Sequence, residues 1–170
     1  MHKTTEQKQE IKLVGISART SNQAEMNPAT AKIGQTMQRY FTEVLPHIGQ
    51  LADCATTFCV YTEYESDYTG PYTYFIGAQV SAGKVVDGAE TLTIPAQSYA
   101  KFTTALGAMP AVVIDAWMKI WQMTPADFGG NRCHDIAVGR SAEPFRLGDA
   151  GGDAPRARRV ECARGDVRRG

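Results

Sequence analysis

Residues 57–80 read TFCVYTEYESDYTGPYTYFIGAQV. The two ends of this segment, 57–63 and 72–80, are rich in β-branched and aromatic residues, and a turn containing Ser, Asp, Gly and Pro separates them. This arrangement predicts an antiparallel β-hairpin. A hairpin is not stable alone in water, so it needs further strands and a covering layer, which the flanking sequence must supply.

The same hairpin concentrates tyrosines and carboxylates. Residues 61–74 contain five of the seven tyrosines and three carboxylates, and no Lys or Arg occurs between Arg39 and Lys84. An aromatic face attracts a cation through its quadrupole, and a nearby carboxylate supplies the opposite charge. One interpretation is therefore a pocket for an organic cation. The alternative is a tyrosine-rich hairpin with a solvated acidic rim.

Strand geometry limits which of these side chains can share a pocket. Successive side chains of a strand point to opposite faces, so Glu63 and Glu65 are expected on one face and Tyr64 on the other, with Tyr61 on the face of the two glutamates. The next strand carries tyrosines two residues apart, at 72 and 74, and the pairing register decides which face they share. We expect only part of the aromatic cluster to lie beside a given carboxylate.

The flanking sequence alternates strands and helices. Residues 11–17 form a short apolar run typical of a strand. Asn27 and Pro28 are a typical helix start, and the apolar residues that follow recur at helical spacing: Ile33, Met37, Tyr40, Phe41, Val44 and Leu45. Residues 93–104 predict another strand, and a second helical stripe contains Val113, Trp117, Ile120 and Trp121. This order is an internal repeat that needs two more strands after residue 130.

The end of the chain does not clearly supply those strands. Residues 133–138 suggest one short strand, and from Gly139 onward Gly, Ala, Asp and Arg dominate with little periodicity. Residues 1–130 contain seven Lys and two Arg, whereas 131–170 contain nine Arg and no Lys. Our hypothesis is that this tail comes from a different reading frame or a fused segment. The alternative is an ordinary basic tail on a complete domain.

These patterns divide the chain into three parts. We expect a flexible N-terminus over residues 1–10, one folded domain over 11–132, and a divergent, partly disordered tail rich in Arg and Gly over 133–170. A chain of 170 residues is long enough to bury a core without disulfides or a structural metal. The second repeat is expected to be incomplete or altered at its C-terminal end.

The composition argues against several classes of protein. Eighteen basic and eighteen acidic residues give a formal net charge of zero, so no nucleic-acid or membrane partner is expected. No membrane span, hydrophobic signal segment or paired CxxC motif is present, which favours a cytoplasmic protein with reduced thiols. No Ser-His-Asp order, nucleotide-binding glycine loop or metal motif occurs. We expect no cofactor, no metal site and no catalytic residues.

Five motifs occur in order along the chain: Lys12-Leu13-Val14-Gly15-Ile16, Tyr61-x-x-Tyr64 with Gly70-Pro71-Tyr72, Tyr74-Phe75-Ile76-Gly77, the run from Ile94 to Phe102, and Trp117-x-x-Ile120-Trp121. This series resembles the GyrI-like small-molecule-binding superfamily, the effector-binding domain of AraC-type and related multidrug-sensing regulators. The resemblance covers about residues 10–132. No single motif is specific, but their order is.

The resemblance implies an α+β fold in which two pseudo-symmetric β-α-β-β units form a curved antiparallel sheet with a ligand cleft between them. Free-standing members, including ones on integron gene cassettes, are associated with cationic, drug-like molecules. The family usually pairs the ligand with a glutamate shortly after residues 131–132. Counting on without a gap reaches Gly139 or Arg140, and Glu143 would need an insertion to replace that glutamate. The chain therefore departs from the family at its charge partner.

Chemistry and resemblance together give eight candidate ligand-binding residues: Glu63, Tyr64, Glu65, Tyr72, Tyr74, Phe102, Trp117 and Trp121. Tyr64 and Tyr72 coincide with tyrosine positions of the family. Trp117 and Trp121 lie four residues apart on one helix face, so core packing is the alternative to a place in the cleft. Phe102 and Tyr99 point to opposite faces of their strand, so at most one of them faces the cleft.

Two classes of function fit these observations. The first is a free-standing cytoplasmic module that binds an amphipathic, cationic drug-like molecule and serves transcriptional regulation or drug sequestration. The second is a protein-interaction module of the gyrase-inhibitor type, and a small-molecule hydrolase is a minor third. About ten residues precede the first strand, too few for a helix-turn-helix, so regulation would need a separate protein partner. A homodimer through an unpaired strand edge is a further expectation.

Overall fold

The computed structural model describes residues 2–49, 51, 56–81, 87–105, 111–124, 127, 132–140 and 160–166, the last two ranges by their backbone. The strands are β1 (His2–Lys8), β2 (Ile11–Thr20), β3 (Thr56–Thr62), β4 (Tyr72–Gln79), β5 (Glu90–Ile94), β6 (Gln97–Thr103), β7 (Arg132–Arg140) and β8 (Val160–Asp166). The α-helices of these residues are α1 (Asn22–Glu25), α2 (Ile33–Arg39) and α3 (Ala111–Trp121).

The strands form one antiparallel eight-stranded sheet in the order β1-β6-β8-β7-β3-β4-β2-β5. Its two halves repeat one plan, because β2, the helices α1 and α2, β3 and β4 correspond to β6, α3, β7 and β8. The order β3-β4-β2 in one half matches β7-β8-β6 in the other, and the halves meet where β3 pairs antiparallel with β7. The predicted α+β architecture of two β-α-β-β units is confirmed.

Short connections force this sheet to bend. Strands β1 and β2 are six positions apart in the sheet, yet only residues 9 and 10 separate them in sequence. Six strand spacings of a flat sheet are about 29 Å, whereas the three Cα steps between these strands reach at most about 11 Å. Strands β5 and β6 are separated by residues 95 and 96, so the same argument applies to them. The sheet therefore curves enough to bring the strand ends joined by these two links within about 11 Å of each other.

The curled sheet buries side chains on both faces. One face holds a core cluster made of Leu13, Phe58, Val60, Phe75, Ile94 and Tyr99. The helices pack on the other face, which we call the helix face. There α2 and the π-helical turn that continues it (Tyr40–Val44) cover side chains of β2 and β4, while α3 covers Ala100 and Phe102 of β6.

Two opposed glycines allow β2 and β4 to approach closely. Gly15 pairs with Gly77 in the β2–β4 ladder. A Cβ atom on Gly15 would lie 1.9 Å from the carbonyl oxygen of Ile76, far inside van der Waals contact. The position therefore requires glycine, as expected where another backbone approaches a strand.

The first long helix begins later than predicted. We expected Asn27 to cap a helix that starts at Pro28, but α2 begins at Ile33. The side-chain oxygen of Asn27 instead accepts a hydrogen bond from the backbone N–H of Ala29 at 3.0 Å, which closes a local turn. The predicted apolar stripe is confirmed, since its residues pack into the helix-face core through the π-helical turn.

The ends of the chain contain strands that the sequence analysis did not predict. Residues 2–8, expected to be flexible, form β1 and pair with β6. This strand has mostly exposed polar residues, so it lacks the apolar alternation that predicts strands. The short strand expected at 133–138 lies within the longer β7, and β8 pairs with both β6 and β7, so the second unit has all of its strands. The disorder expected over 141–159 falls outside the described residues.

Candidate functional site

An aromatic cluster lies on the helix face where the two halves meet. Its centre is Tyr61 of β3, which pairs with Tyr74 of β4 across the ladder. The ring centroid of Tyr61 lies 5.7 Å from that of Tyr72, 5.4 Å from that of Tyr74, and 5.4 Å from that of Trp117 on α3. These tilted and edge-to-face contacts fall in the range that stabilises aromatic pairs. We call Tyr61, Tyr72, Tyr74 and Trp117 the junction cluster.

A second aromatic contact joins the halves beside this cluster. Tyr68, in the connection between β3 and β4, stacks on Trp121 at the end of α3, with centroids 5.2 Å apart and an interplanar angle of 6°. Asn22 of α1 holds the connection in place. Its side-chain N–H donates to the Tyr68 carbonyl at 2.7 Å, and its side-chain oxygen accepts from the Tyr72 hydroxyl at 3.1 Å. The connection, α1 and α3 are thus linked around the junction cluster.

The polar atoms beneath the cluster are uncharged groups. The Tyr74 hydroxyl donates to the Cys59 sulfur at 3.3 Å. Burial raises the pKa of the Cys59 thiol, and it is also the main reason that the pKa values of Tyr40 and Tyr74 are raised. The Tyr40 hydroxyl and the Trp117 indole N–H are buried and have no hydrogen-bond partner among the described residues. The packing beneath Tyr61 is thus aromatic, with polar atoms that are buried and uncharged.

The two glutamates of the hairpin lie on the opposite face of the sheet from the tyrosines. Arg19 forms an ion pair with Glu65 at 2.6 Å and donates to the Glu63 carbonyl at 2.7 Å. The Glu63 carboxylate accepts from the Thr73 hydroxyl at 2.7 Å, and Thr73 alternates with the tyrosines of β4. Both side chains belong to exposed residues. The structure therefore does not bring Glu63 and Glu65 to the junction cluster.

The local backbone explains why the expected alternation fails there. Strand β3 ends at Thr62, and Glu63 has a φ of 53°, in the left-handed region that non-glycine residues rarely adopt. The chain therefore leaves the extended conformation immediately after β3. The strand alternation that placed both glutamates on the face of Tyr61 does not extend past that point.

A different carboxylate, Glu25 at the end of α1, lies near the tyrosines. Burial is the main cause of the raised pKa values of Tyr72 and Tyr74, and the negative charge of Glu25 contributes to both. Glu25 is half-buried, and its carboxylate accepts hydrogen bonds from the backbone N–H groups of Lys32 at 2.9 Å and Ile33 at 3.2 Å. Sequence reasoning missed it because α1 itself was not predicted.

The other candidates divide between the cluster and the core. Tyr64 is half-buried, with its ring centroid 5.4 Å from that of Tyr72, so it extends the junction cluster. Phe102 is buried in the packing between β6 and α3, as is Trp117, which belongs to both that core and the cluster. Tyr61 and Tyr68 were not among the candidates, although their place in the tyrosine-rich hairpin was the available signal. Whether any of these residues binds a ligand stays a prediction.

Within the described part of the chain, no group of three or more His, Cys, Asp or Glu side chains could hold a metal ion. No helix in that part is long and apolar enough to cross a membrane.

A curved antiparallel sheet of two repeated β-α-β-β units, with an aromatic cluster at their junction, defines a GyrI-like effector-binding domain. The chain belongs to the Cass2 family, described as integron-associated effector binding proteins, whose family model matches residues 4–140.

Individual relatives agree with this assignment. The crystal structure of an integron cassette protein from the mobile metagenome of Vibrio cholerae is similar, with a TM-score of 0.73 and 25% identity over 96% of this chain and 94% of that one. The structure of SAV2435 bound to tetraphenylphosphonium has a TM-score of 0.67 and 15% identity over 96% and 94% of the two chains. YobU of Bacillus subtilis, named as a transcriptional regulator protein, is 27% identical over 111 residues, 65% of this chain and 69% of that protein.

Proposed function

We propose that this protein binds an amphipathic, cationic organic molecule of drug size at the junction cluster and releases it unchanged. The observation that carries the proposal is the position of Tyr61, a half-buried ring in contact with Tyr72, Tyr74 and Trp117 at the meeting point of the two units. The cytoplasmic location expected from the sequence is part of the proposal.

The chemistry of the cluster favours a lipophilic cation. Each tyrosine or tryptophan face near a cation contributes about 0.5–2 kcal/mol, depending on how far water is excluded. Several rings from two strands and one helix converge here. Tyr61 and Tyr64 are half-buried, whereas Tyr72, Tyr74 and Trp117 are buried, so a ligand would contact the first two directly and the others once the packing around Tyr61 opens. Within the cluster, the Tyr72 and Tyr74 phenols keep their protons because burial raises their pKa values. The site thus offers π surface whose Tyr72 and Tyr74 hydroxyls are uncharged.

The comparisons support the same class of ligand. Membership of an effector-binding family supports the binding of a small molecule. The neighbour bound to tetraphenylphosphonium, at 15% identity, supports a shared fold, and its ligand is a rational first probe for this chain. The regulator name of the Bacillus subtilis relative supports a role in the regulation of transcription.

The alternative functions have weaker support in the described residues. A protein-interaction module of the gyrase-inhibitor type would engage a basic partner through an exposed acidic face, but Arg19 of the chain itself pairs with Glu65 on the acidic side of the hairpin. A hydrolase would need a nucleophile or a carboxylate base at the cluster. Burial raises the pKa of the Cys59 thiol, which makes it a poor nucleophile, and the Glu63 and Glu65 carboxylates do not reach the cluster. We therefore propose binding without catalysis.

Titration with tetraphenylphosphonium tests the proposal, with tryptophan fluorescence as the signal. The chain has two tryptophans, so Trp117→Phe and Trp121→Phe each leave one reporter. We expect saturable quenching in both variants. Tyr61→Leu should weaken binding about tenfold or more, since it removes the central ring, whereas Tyr61→Phe keeps the ring and should bind within about threefold of the parent chain.

The fold must be checked in parallel. A cooperative thermal melt for each variant separates loss of binding from loss of structure. Absence of saturable quenching by an intact parent chain would overturn the proposal. Equal affinities of the Tyr61→Leu variant and the parent chain would move the binding site away from the junction cluster.

A further inference from the structure

Helix α1 is attached directly to the aromatic site. Its first residue, Asn22, bonds both the Tyr72 hydroxyl and the Tyr68 carbonyl. Glu25 is the last residue of the same helix, three positions on, and it is half-buried. The Glu25 carboxylate bonds the Thr20 hydroxyl, and Thr20 pairs with Tyr72 across β2 and β4, so the carboxylate lies beside one tyrosine of the site.

The hydrogen bonds of Glu25 come from neutral groups. Its carboxylate accepts from the Thr20 hydroxyl and from the backbone N–H groups of Lys32 and Ile33 at the start of α2. None of the described residues forms an ion pair with it. These contacts fix the orientation of the carboxylate but bring no positive side chain to it.

The basic side chains of this region are engaged elsewhere. The Lys32 ammonium donates to the Arg19 carbonyl at 2.8 Å, although the Lys32 backbone lies against Glu25. The Arg19 guanidinium pairs with Glu65 on the opposite face of the sheet. The hydrogen bonds at the start of α2 hold the Glu25 carboxylate in its ionised form. A cation that approaches this half-buried carboxylate therefore meets a negative charge that no described residue has paired.

We infer that Glu25 is the residue that pairs with the positive charge of the ligand and selects cations over anions. The inference rests on the proposed function and adds the source of its charge selectivity. Glu63 and Glu65 do not reach the cluster, and the chain has Gly139 or Arg140 where the resemblance implies a pairing glutamate. Glu25 thus approaches the site from the helix side instead of from the sheet.

Two probes of nearly equal shape and opposite charge test the inference. Tetraphenylphosphonium is the cation and tetraphenylborate the anion. The parent chain should bind the cation at least tenfold more tightly. Glu25→Gln keeps an oxygen that can accept from the start of α2 but removes the charge, so it should weaken the cation about tenfold and leave the anion unchanged or bound more tightly.

Two control variants make the same charge change at other positions. Glu65→Gln removes a charge on the opposite face and should alter cation affinity by less than about threefold, which measures the long-range effect of net charge. Asp135→Asn makes the charge change at the strand position that pairs with Tyr61 in the register of β3 and β7. A larger loss at Asp135 than at Glu25, or equal small losses at Glu25 and Glu65, would overturn the inference while leaving the proposed function intact.

The parent chain provides a test that needs no variant. If Glu25→Gln does not fold, equal affinities of the parent chain for the two probes overturn the inference, and a strong preference for the cation supports it. Binding of neither probe by a folded parent chain overturns the proposed function and the inference together.

Discussion

The Tyr40 hydroxyl allows a quantitative test of the structure on the unliganded protein. Tyr40 is 0% exposed, and its hydroxyl has no hydrogen-bond partner among the described residues. A buried polar group without a partner costs about 1–3 kcal/mol. Tyr40→Phe removes that group and keeps the ring packing, so the free energy of unfolding should rise by about 1 kcal/mol. For a chain of this size that corresponds to an increase in Tm of about 2–4 °C.

Urea unfolding followed by circular dichroism measures this change, and Tyr74→Phe is the matched control. The Tyr74 hydroxyl donates to the Cys59 sulfur at 3.3 Å, so its removal breaks a buried hydrogen bond. We expect Tyr74→Phe to lower the free energy of unfolding by about 0.5–1.5 kcal/mol. The two variants should therefore differ in sign. A loss of stability in Tyr40→Phe as large as in Tyr74→Phe would show that the Tyr40 hydroxyl is bonded and would refute this reasoning.

Three further predictions concern the sheet, the protonation of the core and the stacked pair. Gly15→Ala should destabilise the fold by about 2–4 kcal/mol because its Cβ would meet the Ile76 carbonyl. Gly34→Ala, in α2 with nothing within 4 Å of the new Cβ, should stabilise the fold by about 0.5–1 kcal/mol. Equal effects of the two variants in chemical denaturation would contradict the close approach of β2 and β4. Burial raises the pKa of the Cys59 thiol above its ordinary 9.0 and the pKa values of the Tyr40, Tyr72 and Tyr74 phenols above their ordinary 10.0. The contribution of these protonated groups to folding stability is therefore fully present below those values and is lost as the pH rises above them. Urea unfolding should show that the free energy of unfolding falls from about pH 9 upward. A constant free energy of unfolding up to pH 11 would contradict the burial of these groups. A double-mutant cycle of Tyr68→Leu and Trp121→Leu should give a coupling of about 0.5–1.5 kcal/mol, and additive effects would show that the stack contributes nothing.

The first unit could be predicted because it contains strong local signals, whereas the complete second unit was implied by the resemblance and its last strands have weak local signals. The hairpin of β3 and β4 has the aromatic and β-branched residues and the turn that strands need, and the apolar stripe from Ile33 to Val44 has helical spacing. The β1 strand could not be predicted in this way. Its residues are polar and exposed, and its backbone hydrogen bonds to β6 hold it in the sheet.

The candidate site was predicted in its aromatic part and not in its charged part. Tyr72 and Tyr74 share the helix face because the register pairs Tyr61 with Tyr74, which local sequence does not specify. The position of the Glu63 side chain depends on the left-handed backbone conformation of Glu63 itself, immediately after β3. The position of Glu25 depends on the short helix α1, which Ser21 caps. The stability of this helix comes from tertiary contacts such as the hydrogen bonds of Asn22.

The most direct test of the binding site is an NMR measurement of intermolecular nuclear Overhauser effects between the phenyl protons of tetraphenylphosphonium and the protein. The account predicts contacts to ring protons of Tyr61 and Trp117. Contacts confined to Ile114 and Met118, the exposed apolar residues on the outer side of α3, would contradict it.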